Sequence, residues 1–151
     1  MKTKVTGILA LCVFCLAIFG SSAVAGEKLQ VVASPKAPEA IGAYSQAIAV
    51  GDFVFTSGTL PIDPANGKMP DGIKAQTTQA LENIKVILEE AGTGMDKVVK
   101  STIFLADIND FAVFNEVYST YFKAPYPARC TLAVKDVPRG ALIEIDVIAV
   151  K

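Results

Sequence analysis

The chain has 151 residues, 52% of them hydrophobic, with 14 Lys+Arg against 15 Asp+Glu and neither histidine nor tryptophan. That length and apolar share describe one folded domain with a real core rather than a disordered chain. Without an imidazole, Ser-His-Asp and Cys-His nucleophilic catalysis, His-ligated zinc or iron and histidine general-base chemistry cannot be built from this chain alone, so any chemistry falls to carboxylates, Arg, Lys, Tyr, hydroxyls, a thiol or backbone groups.

Residues 1–25 read as a cleaved signal peptide. They have a basic start at Lys2 and Lys4, an apolar run from Ile8 to Phe19 too short to span a bilayer, and an A-x-A end at Ala23 and Ala25. The expected protein is therefore exported, periplasmic or secreted, with its working domain in residues 26–151 and no membrane attachment after cleavage. Loss of the leader leaves 12 Lys+Arg against 15 Asp+Glu, a balance that argues against non-specific nucleic-acid binding. It also leaves Cys130 alone, so no intramolecular disulfide is expected.

Three short strands come first: Leu29 to Ala33, Ala47 to Val50 and Phe53 to Ser57, the last two joined at a Gly51-Asp52 turn. Pro61 to Gly72 is loop. From Ile73 to Ala91, Ile73, Thr77, Ala80, Leu81, Ile84, Ile87, Leu88 and Ala91 recur at helical spacing, and Gly92 follows as a stop. Val98 to Leu105 is a β-branched strand. Asp110 is placed to cap a second helix, Phe111 to Phe122, whose aromatic stripe (Phe111, Phe114, Tyr118, Tyr121, Phe122) is expected to pack in the core. Two strands close the chain, Arg129 to Val134 and Ala141 to Val150, giving the order β-β-β-α-β-α-β-β.

This is an α+β pattern: a mixed β-sheet with two helices gathered on one face. The last strand carries Ala141, Ile143, Ile145, Val147 and Ala149 on one side and Leu142, Glu144, Asp146, Ile148 and Val150 on the other. Two helices cover one sheet face only, yet the second face is largely apolar. It is expected to be covered by a partner, most simply another copy of the chain.

Beyond the leader the only arginines are Arg129 and Arg139. Arg139, between Pro138 and Gly140, reads as solvated. Arg129 opens a strand among small and apolar neighbours, which calls for an anionic partner: either a bound carboxylate, which suits the planar guanidinium fork, or a structural salt bridge, for example to Glu144. Glu144, on the covered face, is a candidate for proton transfer or water activation, with an interface ion pair as the alternative. Asp146 shares its face. Cys130 points away from Arg129 and Thr131 and is expected to be a buried, inert thiol. Thr56-Ser57-Gly58 ends a strand and can offer a hydroxyl and backbone N–H groups to an anion.

These residues resemble the RidA/YjgF family of reactive intermediate deaminases. The resemblance runs through Pro38-Glu39-Ala40-Ile41-Gly42-Ala43-Tyr44-Ser45-Gln46-Ala47, Phe55-Thr56-Ser57-Gly58, Asp110-Phe111-Ala112-Val113-Phe114-Asn115, Pro127-Ala128-Arg129 and Val137-Pro138-Arg139-Gly140-Ala141-Leu142-Ile143-Glu144-Ile145. It implies a chorismate-mutase-like (YjgF-like) subunit in a homotrimer with ligand clefts between subunits. It also implies hydrolysis of 2-iminobutanoate and 2-iminopropanoate to 2-oxo acids and ammonia without metal or organic cofactor. By position, Arg129 would bind the substrate carboxylate, Glu144 would activate water and handle protons, and Tyr44, Ser57, Gly58 and Asn115 would line the cleft. A non-catalytic small-carboxylate binding protein or a chaperone-like member of the family are the alternative readings. The chain departs from the family in carrying Thr131 where many bacterial members have cysteine, and in its leader, since family members usually work in the cytoplasm.

Overall fold

In the computed structural model, which describes residues 28–151, the alternating pattern of the last strand organises the molecule. Strand β6 (Ile143–Val150) buries Ile143, Ile145, Val147 and Ala149 completely on one face and half-buries the intervening residues on the other. It lies centrally in a six-stranded sheet of order β1-β2-β3-β6-β4-β5, where β1 is Gln30–Val32, β2 Ala47–Val50, β3 Phe53–Thr56, β4 Val98–Leu105 and β5 Ala128–Ala133. All neighbours pair antiparallel except β4 and β5, which run parallel. A parallel pair needs a crossover, and helix α2 (Phe111–Tyr121) provides it. The order of elements is the expected one.

Helix α1 (Ile73–Glu90) and α2 lie together on the Val147 face. Leu81, Ile84 and Leu88 of α1 and Phe114 of α2 are fully buried against Val54, Ile103 and Ile145. Helix α1 ends at Gly92, in left-handed conformation, with the Thr93 N–H returning to the Leu88 carbonyl. At the start of α2 the expected cap is displaced. The Asp110 side chain makes no capping bond; instead Asp107 accepts from the Asn109 N–H at 2.9 Å, and a 3-10 turn over Ile108–Asp110 runs directly into the helix. The aromatic stripe packs as expected at Phe114, Tyr118 and Phe122, whereas Phe111 is 38% exposed and Tyr121 donates to Glu82 at 2.7 Å.

Among the described residues, the opposite sheet face is left open. Val31, Phe53, Phe55 and Leu132 are exposed on it, between 40% and 70%. Cys130 shares that face and is exposed rather than buried, because β5 is an edge strand and, among the described residues, no element reaches over it. Strand β6 begins two residues later than expected, since Pro138–Gly140 forms a tight turn and the Leu142 N–H bonds to Gln76 Oε1 on α1. The predicted signal peptide lies outside the described residues. Among the described residues, no helix is long and apolar enough to cross a membrane.

Candidate active site

The six expected site residues fall into two groups. Tyr44, Ser57, Gly58 and Glu144 line one cavity of about 750 Å³, together with Pro38, Ile41, Leu60 and Arg139. Its wall is the loop before β2, which includes the Pro38 to Gln46 stretch of the family resemblance. The key is Gln46, at the start of the second hairpin: its Oε1 accepts from the Ser34 N–H at 2.6 Å, and its Nε2 donates to the Pro38 carbonyl at 2.7 Å and the Ser34 carbonyl at 3.2 Å. One buried amide thus folds residues 34–38 over the sheet end. Asn83 does the same from α1, donating to the carbonyls of Leu60 and Ile62. A buried amide that satisfies several backbone groups at once is distinctive in three dimensions, but a lone Gln or Asn carries no periodic signal in a sequence.

Glu144 enters the cavity against Gly58. Thr59 and Ile145 exchange two backbone hydrogen bonds, of 2.8 and 3.3 Å, which bring the chain after β3 alongside β6. A methyl group on Gly58 would lie 2.7 Å from Glu144 Cδ, so glycine is required here for the carboxylate to lie flat against the backbone. Burial pushes the Glu144 carboxyl above its ordinary pKa, and the charge of Asp146 on the same face adds to the rise. Asp146 is raised by burial too, moderated by a hydrogen bond to Thr102 and by Lys100. Ser57 uses its hydroxyl differently from expectation: it donates to the Ser45 carbonyl at 2.6 Å and tethers the loop that carries Tyr44. Tyr44 is half exposed, over the cavity.

Arg129 and Asn115 form the second group. Arg129 Nη1 donates to Asn115 Oδ1 at 2.8 Å, and its guanidinium carbon lies 4.7 Å from the Tyr118 ring centroid, 5.4 Å from Phe114 and 5.6 Å from Phe111. The aromatic stripe is therefore both core and platform. Cation–π contact and the Asn115 tether hold the fork in place. Tyr118 is fixed in turn by its hydroxyl, 2.7 Å from Ser101 Oγ. Thr131, the next residue on the same side of β5, has a buried hydroxyl with no hydrogen-bond partner among the described residues.

The two groups do not meet within one chain. Arg129 pairs in register with Ser101, and Ser101 with Val147, on the helix-covered face; Glu144 pairs with Phe104 on the open face. An internal Arg129–Glu144 salt bridge is thereby ruled out as the anion partner of Arg129. Among the described residues there is no cluster of three or more metal-ligating side chains.

The profile of the family described as Endoribonuclease L-PSP matches residues 34–151. A RutC family protein of Pyrococcus abyssi is 52% identical over 123 residues, 81% of this chain and 97% of that protein. The rat 2-iminobutanoate/2-iminopropanoate deaminase is 46% identical over 123 residues, covering 81% of this chain and 90% of the enzyme. The chain belongs to the RidA/YjgF family. Solved structures of the family agree with the fold. RidA from an Antarctic Psychrobacter superposes with a TM-score of 0.79 at 44% identity, covering 81% of this chain and 99% of that one. TdcF of E. coli, with bound serine, gives 0.78 at 39% identity, over 81% and 98%. The α+β subunit, a mixed sheet with two helices on one face, is thus the RidA/YjgF subunit.

Proposed function

We propose that this RidA/YjgF protein hydrolyses reactive imine and enamine intermediates, converting 2-iminobutanoate and 2-iminopropanoate to 2-oxo acids and ammonium, and that it does so as a homotrimer with sites between subunits. The division of the site carries the proposal. Each chain holds an anion clamp on its β5 edge and a carboxylate-bearing cavity elsewhere on the sheet, and neither half is a complete site. A cyclic assembly that seats the β5 edge of one subunit at the cavity of the next completes one site at every interface. The open face, with Phe53, Phe55 and Leu132 exposed, offers the apolar surface such an assembly buries. The identity to mammalian deaminases supports the chemistry.

In the joined site the Arg129 fork takes the substrate carboxylate, held in position by Asn115 and its aromatic platform. The protonated imine carbon is already electrophilic. Glu144, with its proton affinity raised by burial, accepts a proton from the attacking water and returns it to nitrogen. Collapse of the carbinolamine breaks the C–N bond: water supplies the oxygen of the new C=O, and nitrogen leaves as ammonium. An enamine enters the same route once its β-carbon is protonated.

The test is complementation. Arg129→Ala and Glu144→Gln variants are each expected to lose ammonia release from enzymatically generated 2-iminopropanoate while remaining trimeric. Co-assembled in equal amounts, they should recover about a quarter of wild-type activity, because a random trimer pairs an intact Arg129 edge with an intact Glu144 cavity at about one site in four. Mixed trimers without recovery, or an active monomer, would overturn the reading. Tight 2-oxo acid binding with no ammonia release would make the protein a carboxylate-binding member instead.

We propose further that residues 1–25 direct export. The family match begins at residue 34, and nearly the whole P. abyssi relative is covered by the matched segment. N-terminal sequencing of the exported protein should begin at Gly26; an intact Met1 would refute it.

A further inference from the structure

Arg139 is an exposed turn residue, as expected from sequence, and it occupies an unfavourable backbone position on the cavity wall. Its φ and ψ are 60° and 17°, and Gly140 follows at φ 71°. The Ala141 N–H bonds to the Pro138 carbonyl at 3.3 Å, so Arg139 and Gly140 are the central residues of a four-residue turn with both φ values positive. Such a type I′ turn favours Asn, Asp or Gly at its first central position, because a long side chain crowds the backbone there. The turn is rigidly mounted, since Val137 and Ala141 on either side are buried. The chain therefore holds a strained arginine in place five residues before Glu144, and strain of this kind collects at functional positions.

The location gives the strain a purpose. Arg139 is the one cationic side chain among the residues lining the cavity, where Glu39 and Glu144 are the acidic ones. Among the described residues the guanidinium forms no ion pair; the ion pair there is Lys85–Glu82, on α1. Glu144 is raised by burial and by Asp146, with no opposing pull from Arg139, so the guanidinium is not spent on neutralising that carboxylate.

We propose that Arg139 is a specificity-determining residue that receives a second carboxylate, so that the preferred substrates are 2-imino dicarboxylates of four or five carbons. This rests on the imine-hydrolase reading above: the neighbouring subunit's copy of Arg129 holds the carboxylate next to the imine carbon, and Arg139 meets the distal one across the cavity. The reaction that supplies such substrates is the two-electron oxidation of an acidic amino acid by an oxidase or dehydrogenase, or the loss of water from its 3-hydroxy derivative.

Two readouts test this on the intact trimer. The first is the ratio of kcat/KM for a 2-imino dicarboxylate, made in situ by an oxidase acting on aspartate, to that for 2-iminopropanoate. It should exceed one in the wild type, fall about tenfold in Arg139→Asn through loss of a charge-assisted hydrogen bond, and be largely kept in Arg139→Lys. The second is calorimetric affinity for 2-oxoglutarate against 2-oxobutanoate, which should lose its preference for the dicarboxylate in Arg139→Asn. Asparagine suits the turn, so that variant should melt no lower than the wild type. Equal ratios and equal affinity preferences in wild type and Arg139→Asn would overturn the assignment of Arg139 while leaving imine hydrolysis standing. Selective dicarboxylate binding with no hydrolysis of any imine would sustain Arg139 and overturn the hydrolase reading.

Discussion

Replacing Gly58 by alanine tests the site at its tightest contact. The added methyl would stand 2.7 Å from Glu144 Cδ and 3.1 Å from Cγ, where unstrained carbon atoms keep about 3.5–4.0 Å apart. Gly58 is outside the left-handed region, so the backbone accepts alanine. The strain falls on the Glu144 carboxylate, the movable end of a half-buried side chain, which must swing aside by about 1 Å to restore contact distance. A displacement of that size costs roughly 10²-fold in rate when the group must meet a water and an imine in a fixed geometry. Stability should change by less than about 1 kcal/mol, since no backbone or core atom has to move. The assay is ammonia release from 2-iminopropanoate, with thermal melting alongside. In a Glu144→Gln background the same alanine should add almost nothing, because both changes act through one carboxylate. A Gly58→Ala protein within about threefold of wild-type kcat would refute the argument, as would an equal further loss in the Glu144→Gln background.

Two more outcomes follow from the same geometry. Gln46→Ala leaves the Ser34 N–H and the Pro38 carbonyl without their partner and should cost about 2–3 kcal/mol in chemical denaturation, with KM rising as the cavity wall loosens; a cost below about 0.5 kcal/mol would show that the loop is held by other contacts. The raised Glu144 carboxyl makes the folded state bind a proton more tightly than the unfolded chain, whose carboxylates titrate near pH 4, so this group's contribution to stability falls as pH rises from there through the folded pKa. Glu144→Gln should therefore melt above wild type at neutral pH, and the gap should close on acidification below about pH 4. A gap that widens toward acid would mean that a cation, not desolvation, dominates the carboxylate.

Much of the architecture was legible because it is periodic. The helical spacing of α1, the two-residue alternation of β6 and the order of elements depend on local burial, and each strand needs only to know which of its faces is covered. Arg129 stood out as a candidate for a similar reason: an arginine among apolar neighbours calls for an anion wherever the chain places it. Local reasoning failed where one residue answers to distant ones. The burial of Cys130 depended on β5 being an edge strand, and the cap of α2 moved to Asp107 because a 3-10 turn precedes the helix. The role of Gln46 exists only once Ser34 and Pro38 are folded around it.

Composition alone excluded imidazole chemistry and left any catalysis to carboxylates, Arg, Lys, Tyr, hydroxyls, a thiol or backbone groups, since no fold can supply a side chain the chain lacks. Only the tertiary structure decided that Arg129 and Glu144 occupy opposite faces of one sheet. Strand register sets which face a side chain takes, and register is fixed by long-range pairing rather than by neighbours in sequence. That pairing keeps the two candidate partners apart within one chain.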